Sequence, residues 1–146
     1  MPLLHEAPRR ILVVDDDVSI RELVSTRLTL AGYVVLTARN GVEALSRLSE
    51  RRYEGMVLDL NMPEMDGFGV LQCMADLPYP APPTLVLTAS HNSADVQRAV
   101  KLGARDYLSK PFEDRQLMMR VARLFRTQQV TPSMIEALDV DGELPI

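Results

Sequence analysis

Cysteine is all but missing from this chain: Cys73 is the only one in 146 residues. A disulfide within the molecule is impossible, which excludes a cross-linked scaffold. Long apolar runs are missing too. No stretch approaches the roughly 20 residues that a helix needs to cross a bilayer, and the opening Met1-Pro2-Leu3-Leu4-His5-Glu6-Ala7-Pro8 has no apolar core of secretory-signal length. The expectation is a chain without membrane association, in a reducing cytoplasm. Nor is there a basic tract, and a formal net charge of −4 argues against nonspecific binding of polyanions such as nucleic acid.

What the chain does have is an ordinary soluble balance, 47% hydrophobic and 25% charged, in a length that makes about one domain. Strand-like and helix-like segments alternate from end to end, the pattern of a parallel sheet covered on both faces. The first strand is expected at about 10 to 15. Asp17 then caps a helix with Ile20, Leu23, Val24, Leu28 and Ala31 at helical spacing, and Gly32 ends it. Tyr33 to Thr37 reads as the second strand, Asn40-Gly41 as a turn, and Val42, Ala44, Leu45 and Leu48 as the buried stripe of the second helix. Strand three ends at Asp59. Pro63 and Gly67 bracket a loop before a helix carrying Phe68, Val70, Leu71 and Met74, and the proline-rich 77–83 runs extended to strand four, Thr84 to Leu87. Asn92 or Ser93 caps a weakly anchored helix with Val96, Ala99, Val100 and Gly103. Strand five, Asp106 to Leu108, and a last helix with Leu117, Met118, Val121, Leu124 and Phe125 complete the series. Five such pairs fit an α/β, flavodoxin-like (βα)5 fold, a five-stranded parallel sheet in the order 2-1-3-4-5 with right-handed crossovers.

In that order the first and third strands are neighbours at the switch point, where open α/β sheets place their sites. Both end in acids, Asp15-Asp16-Asp17 and Asp59. Carboxylates crowded together call for a cation, and hard oxygen ligands favour Mg²⁺. The reading from residues alone is a metal-dependent phosphate chemistry.

Five separated signatures stand in order: Val14-Asp15-Asp16, Asp59-Leu60-Asn61-Met62-Pro63, Asp66-Gly67, Thr88-Ala89, and Tyr107-Leu108-Ser109-Lys110-Pro111. Together they resemble the receiver domain of two-component response regulators, a CheY-like domain, over roughly residues 9 to 127, leaving 1–8 as an extension and 128–146 as a tail or the start of a linker. The resemblance implies that Asp59 takes a phosphoryl group from a phosphohistidine on a sensor histidine kinase or phosphotransfer protein. It implies Mg²⁺ held by Asp15, Asp16, Asp59 and the backbone carbonyl of Asn61. Lys110, aimed by a cis Pro111, and Thr88 would stabilise the phosphoryl oxygens. Thr88 and Tyr107 would form the switch that repacks the helix at about 93–102.

The face made by that helix, strand five and the last helix is then the output surface and a possible homodimer contact, where Arg120, Arg123 and Arg126 either pair with Asp95 or Asp106 of a second copy or, as is commoner for a charge run on a helix, form only its wet side. Kinase choice is expected around Val18, Ile20, Arg21 and Val24, with help from Phe112. Asn61 and Ser90, small and uncharged, point to a phosphate lifetime of minutes. Such a domain catalyses only its own phosphorylation and dephosphorylation. The alternative is an interaction module that keeps the fold without the phosphorylation; a small-molecule phosphatase of haloacid-dehalogenase type is disfavoured because Asn61 stands where a second acid is needed.

Overall fold

The computed structural model describes residues 7–89 and 93–125. It runs β1 (Arg10–Val14), α1 (Val18–Leu30), β2 (Val34–Ala38), α2 (Gly41–Glu50), β3 (Gly55–Asp59), α3 (Gly67–Cys73) with a 3₁₀ turn at Met74–Asp76, β4 (Thr84–Thr88), α4 (Ser93–Lys101), β5 (Asp106–Ser109) and α5 (Asp114–Arg123). All strands are parallel, in the order β2-β1-β3-β4-β5, so the expected fold is the observed one.

Period-two alternation divides the sheet into two faces. Leu12, Val14, Met56, Leu58, Val86 and Tyr107 pack on one side with Ala44 and Leu48 of α2, Val70 and Leu71 of α3, and Val96 and Ala99 of α4. Ile11, Val13, Val57, Leu85, Leu87 and Leu108 face the other side, against Val24 and Leu28 of α1 and Leu117 and Val121 of α5. Covering both faces lets β3 and β4 be buried along their whole length. Pairing of Val14 with Leu58 in register brings the carboxyl ends of β1 and β3 side by side, so Asp15 and Asp59 meet at one edge.

The helix ends follow side-chain chemistry. Asp17 caps α1 by accepting from the Ser19 and Ile20 amides, and Gly32 closes it at φ 99°. Several expectations need correction. Asn40-Gly41 is not a free turn: the Asn40 side chain accepts from the Glu43 amide at 2.7 Å and starts α2. The loop after Pro63 ends, as expected, where Gly67 opens α3, capped by Asp66.

Val42 is 59% exposed and Leu23 and Ala31 are exposed too, because the buried stripes of α1 and α2 are narrower than the apolar residues in them suggest. Gly103, at φ 113°, lies beyond α4 and ends it rather than joining its stripe. The expectations placed on Ser90, Asn92 and Arg126 lie outside the described residues. Among the described residues, no helix is long and apolar enough to cross a membrane.

Candidate functional site

Asp15 follows the last residue of β1 and is fully buried; its amide donates to the Ala38 carbonyl at 3.2 Å. Its Oδ1 accepts from the Asp17 amide at 2.9 Å, and the Arg21 guanidinium reaches back from α1 to its carbonyl at 2.8 Å. The Asp15 Oδ2 is buried and ion-paired with the Lys110 Nζ at 3.1 Å. Asp59, the last residue of β3, is 1% exposed. Its Oδ1 accepts from the Asn61 amide at 3.1 Å and lies 3.4 Å from the same Lys110 Nζ. Asp16 is exposed, yet the carboxylates of Asp15, Asp16 and Asp59 can each offer an oxygen with all three atoms within 4.8 Å of one another.

Burial pushes the Asp59 carboxyl up from 3.8 to about 7, helped by the charge of Asp15 and opposed by the Asn61 amide and Lys110. Burial works against the Lys110 ammonium, but Asp59 and Asp15 together outweigh it and hold its pKa above the ordinary lysine value. The lysine is placed by its backbone: its amide donates to the Thr88 carbonyl at 2.8 Å, and the Lys110-Pro111 peptide is cis.

Around this corner stand the other expected residues. Thr88 ends β4, is 1% exposed and pairs in register with Ser109. The next amide, that of Ala89, donates to the Asn61 Oδ1 at 3.3 Å, tying the loop after β3 to the loop after β4. Tyr107 is 3% exposed and pairs with Val86, two residues before Thr88, so Thr88 and Tyr107 project to the same side of the sheet, toward α4.

The structure thus brings Asp15, Asp16, Asp59 and Lys110 into one cluster and sets Asn61 and Thr88 beside it. Tyr107 lies farther back along the sheet. The donor set suits a hard divalent cation: oxygens of three carboxylates within 4.8 Å of one another, two of the carboxylates buried.

One cluster has a different arrangement from the sequence reading. Arg120 is fully buried and donates to Asp106 Oδ1 at 3.0 Å and to the Tyr107 carbonyl at 2.8 Å, while Arg123 Nε lies 3.9 Å from Asp106 Oδ2. The expected pairing of Arg120 and Arg123 with Asp106 of a second copy is corrected: these charges are matched within one chain, because α5 lays position 120 on β5. Burial raises the Asp106 carboxyl above its ordinary value, with the two arginines opposing. Arg120 falls on the same stripe as Leu117, Val121 and Leu124, which is the signal that could have marked it as buried. Arg21, read as a kinase-facing residue, also proves to hold the Asp15 backbone.

Residues 11–122 match the family described as the response regulator receiver domain. A "Probable transcriptional regulator ycf27" of Cyanidium caldarium is 38% identical over 138 residues, 92% of this chain and 53% of that protein. A "Transcriptional regulatory protein CpxR homolog" of Haemophilus influenzae is 39% identical over 137 residues, 91% of this chain and 59% of its own length. The chain spans about half the length of these curated relatives. Among solved structures, the chemotaxis protein CheY4 of Vibrio cholerae superimposes with a TM-score of 0.77 at 36% identity, covering 82% of this chain and all of that one. With the family match spanning most of the chain and a parallel sheet that gathers acids and a lysine at one edge, this protein belongs to the response regulator receiver domain family.

Proposed function

We propose that this domain, over about residues 9–127, receives a phosphoryl group on Asp59 from a phosphohistidine of a sensor histidine kinase or phosphotransfer protein. The observation that carries the reading is the Lys110 ammonium, 3.4 Å from Asp59 and 3.1 Å from Asp15 in a corner of three carboxylates. An Asp59 oxygen forms the new bond to phosphorus as the phosphorus–nitrogen bond breaks, and the imidazole leaves with that electron pair and takes a proton from solvent. The product is an acyl phosphate.

Asp15, Asp16, Asp59 and the Asn61 carbonyl would hold a Mg²⁺ ion, which supplies charge neutralisation for the phosphoryl oxygens. Lys110 stabilises the negative charge that spreads over those oxygens, and it favours the ionised, nucleophilic form of Asp59 against burial. Thr88 offers its hydroxyl to a phosphoryl oxygen, and Ala89 leaves room for the group to enter. The rest of the domain keeps this chemistry for itself: no separate substrate is turned over.

The signal leaves through α4, β5 and α5. Movement of Thr88 toward the phosphoryl group frees space on the α4 side of the sheet, and Tyr107, on that same side, repacks with α4. That face controls an output domain or partner. The relatives, of which this chain spans about half, are named as transcriptional regulators, and a transcriptional output is the natural partner. A homodimer through the same face would use contacts other than the internal Arg120–Asp106 pair or would have to open it. The test is binding of beryllium fluoride, a phosphoryl mimic, by calorimetry. Binding that requires Mg²⁺ and is lost in Asp59→Asn supports the assignment; binding that survives the substitution, or none in the parent chain, removes it.

A further inference from the structure

Asp15 and Asp16 are consecutive, yet each offers a carboxylate oxygen within 4.8 Å of one from Asp59. In extended chain successive side chains point to opposite faces, so the turn after β1 has to bring the second acid round to the first. Three successive peptide groups shape that turn, and each planar unit is restrained by one hydrogen bond. The peptide that enters Asp15 donates its N–H to the Ala38 carbonyl at 3.2 Å. The peptide that leaves Asp16 donates its N–H, that of Asp17, to Asp15 Oδ1 at 2.9 Å. The one between them, which joins the two acids, is restrained by a side chain: its oxygen, the Asp15 carbonyl, accepts from the Arg21 guanidinium at 2.8 Å.

Arg21 reaches this carbonyl because of where α1 begins. The Asp17 side chain caps the helix, and the Arg21 amide donates to the Asp17 carbonyl at 2.9 Å, which sets residue 21 one turn into it. Side chains of a helix lean toward its N-terminus, so the guanidinium comes back over the cap to the end of β1. Arg21 is half-buried, and water competes for its bond less than at an open surface. Asp16 is exposed, and its direction follows from the peptide that Arg21 holds.

We infer that Arg21 is a positioning residue for divalent-cation binding: by holding the Asp15–Asp16 peptide it keeps the Asp16 carboxylate in one corner with Asp15 and Asp59. This rests on the proposed Mg²⁺ site. Two effects of the side chain oppose each other there. Its hydrogen bond fixes the turn in advance, so that a cation does not have to order it. Its charge repels a second cation, but for a partly exposed group that repulsion is worth only a few-fold. A side chain that orients a metal ligand is worth about 10- to 100-fold in metal affinity. Positioning therefore prevails, and removing this cation weakens the binding of another.

The experiment is urea unfolding of the full chain followed by circular dichroism across a Mg²⁺ titration, with each protein's own midpoint in chelator as its baseline. The rise above that baseline reports Mg²⁺ affinity by mass action, and a loss of stability alone leaves it unchanged. Arg21→Met keeps the aliphatic stem but neither the charge nor the donors, and is expected to need about tenfold more Mg²⁺ for the same rise. Arg21→Lys, which keeps a charge and a donor, is expected to fall between Arg21→Met and the parent. A rise in Arg21→Met equal to the parent's makes Arg21 merely structural and overturns the inference; a larger rise, the sign that repulsion alone would give, overturns it too. Should Arg21→Met not fold, Arg21→Lys carries the test, and parent-like Mg²⁺ dependence in it overturns the inference. A parent chain whose midpoint does not respond to Mg²⁺ removes the metal site and this inference together; a responsive parent with an unshifted variant removes this inference alone.

Discussion

Replacing Asp59 by Asn should make the metal-free protein more stable, although it destroys the proposed function. The carboxyl sits 1% exposed next to the fully buried Asp15, and its pKa is pushed up from 3.8 to about 7. Below about pH 4 the group is protonated in both folded and unfolded chains and has no effect on stability. As pH rises from about 4 to about 7, the unfolded chain ionises first and the folded state loses ground; above about 7 the loss is complete. At roughly 1.36 kcal/mol per tenfold, the ceiling on that loss is about 4 kcal/mol.

The variant recovers only part of it. The Asn amide no longer attracts Lys110, and its oxygen must still accept from the Asn61 amide. A net stabilisation of about 1–2 kcal/mol at about pH 8 is the expected outcome, shrinking toward zero near pH 4. Urea unfolding followed by circular dichroism, in chelator and at several pH values, measures it. With millimolar Mg²⁺ the order should narrow or reverse, since a cation bound only by the folded parent stabilises it by mass action. A gap that is absent at about pH 8 in chelator, or one that does not change with pH, refutes the reasoning.

Arg120→Ala leaves Asp106 buried with its main partner gone and should cost about 3–5 kcal/mol in urea unfolding; Asp106→Asn in the same chain should recover part of that. Lys110→Ala should weaken beryllium fluoride binding at least about tenfold, because the ammonium that faces both Asp15 and Asp59 is lost. A calorimetric titration showing parent-like affinity counts against the role given to it. Gly67→Ala forces a Cβ into the Asp59 backbone and should destabilise the domain by about 1–3 kcal/mol while lowering loading of Asp59 by acetyl phosphate. The acyl phosphate itself should decay within minutes, since the small, uncharged Asn61 does little to exclude water; no loss over a day in a decay assay would show otherwise.

Much of this molecule was legible because its signals are local or periodic. Alternating strand and helix patterns marked all five strands, and the acids at the ends of β1 and β3 become a cluster through strand order alone. What was missed depends on the angle at which a helix meets the sheet. Val42 fits a helical apolar stripe as well as Ala44 does, yet α2 is rotated so that Val42 is 59% exposed. Asn is favoured both in turns and as a helix N-cap, and the bond from the Glu43 amide is what makes Asn40 a cap here.

Arg120 is the most instructive error, because its charge and its position in the sequence point in opposite directions. Residue type placed it in water, where a surface arginine pairs weakly and is free to meet a second molecule. Spacing placed it between Leu117 and Val121 on the stripe that faces the sheet. Spacing prevailed, and it could do so only because β5 presents an acid at the matching position: an arginine buried opposite a leucine would cost several kcal/mol, whereas opposite Asp106 it gains an ion pair and the Tyr107 carbonyl. Arg120 and Asp106 are therefore one feature, a buried charge pair at the strand that carries Tyr107. A motion of Tyr107 large enough to carry its carbonyl away from Arg120 would have to disturb that pair, and the same guanidinium stands 5.9 Å from the centroid of the Tyr107 ring, so the backbone and the ring of this residue are tied to one buried cation.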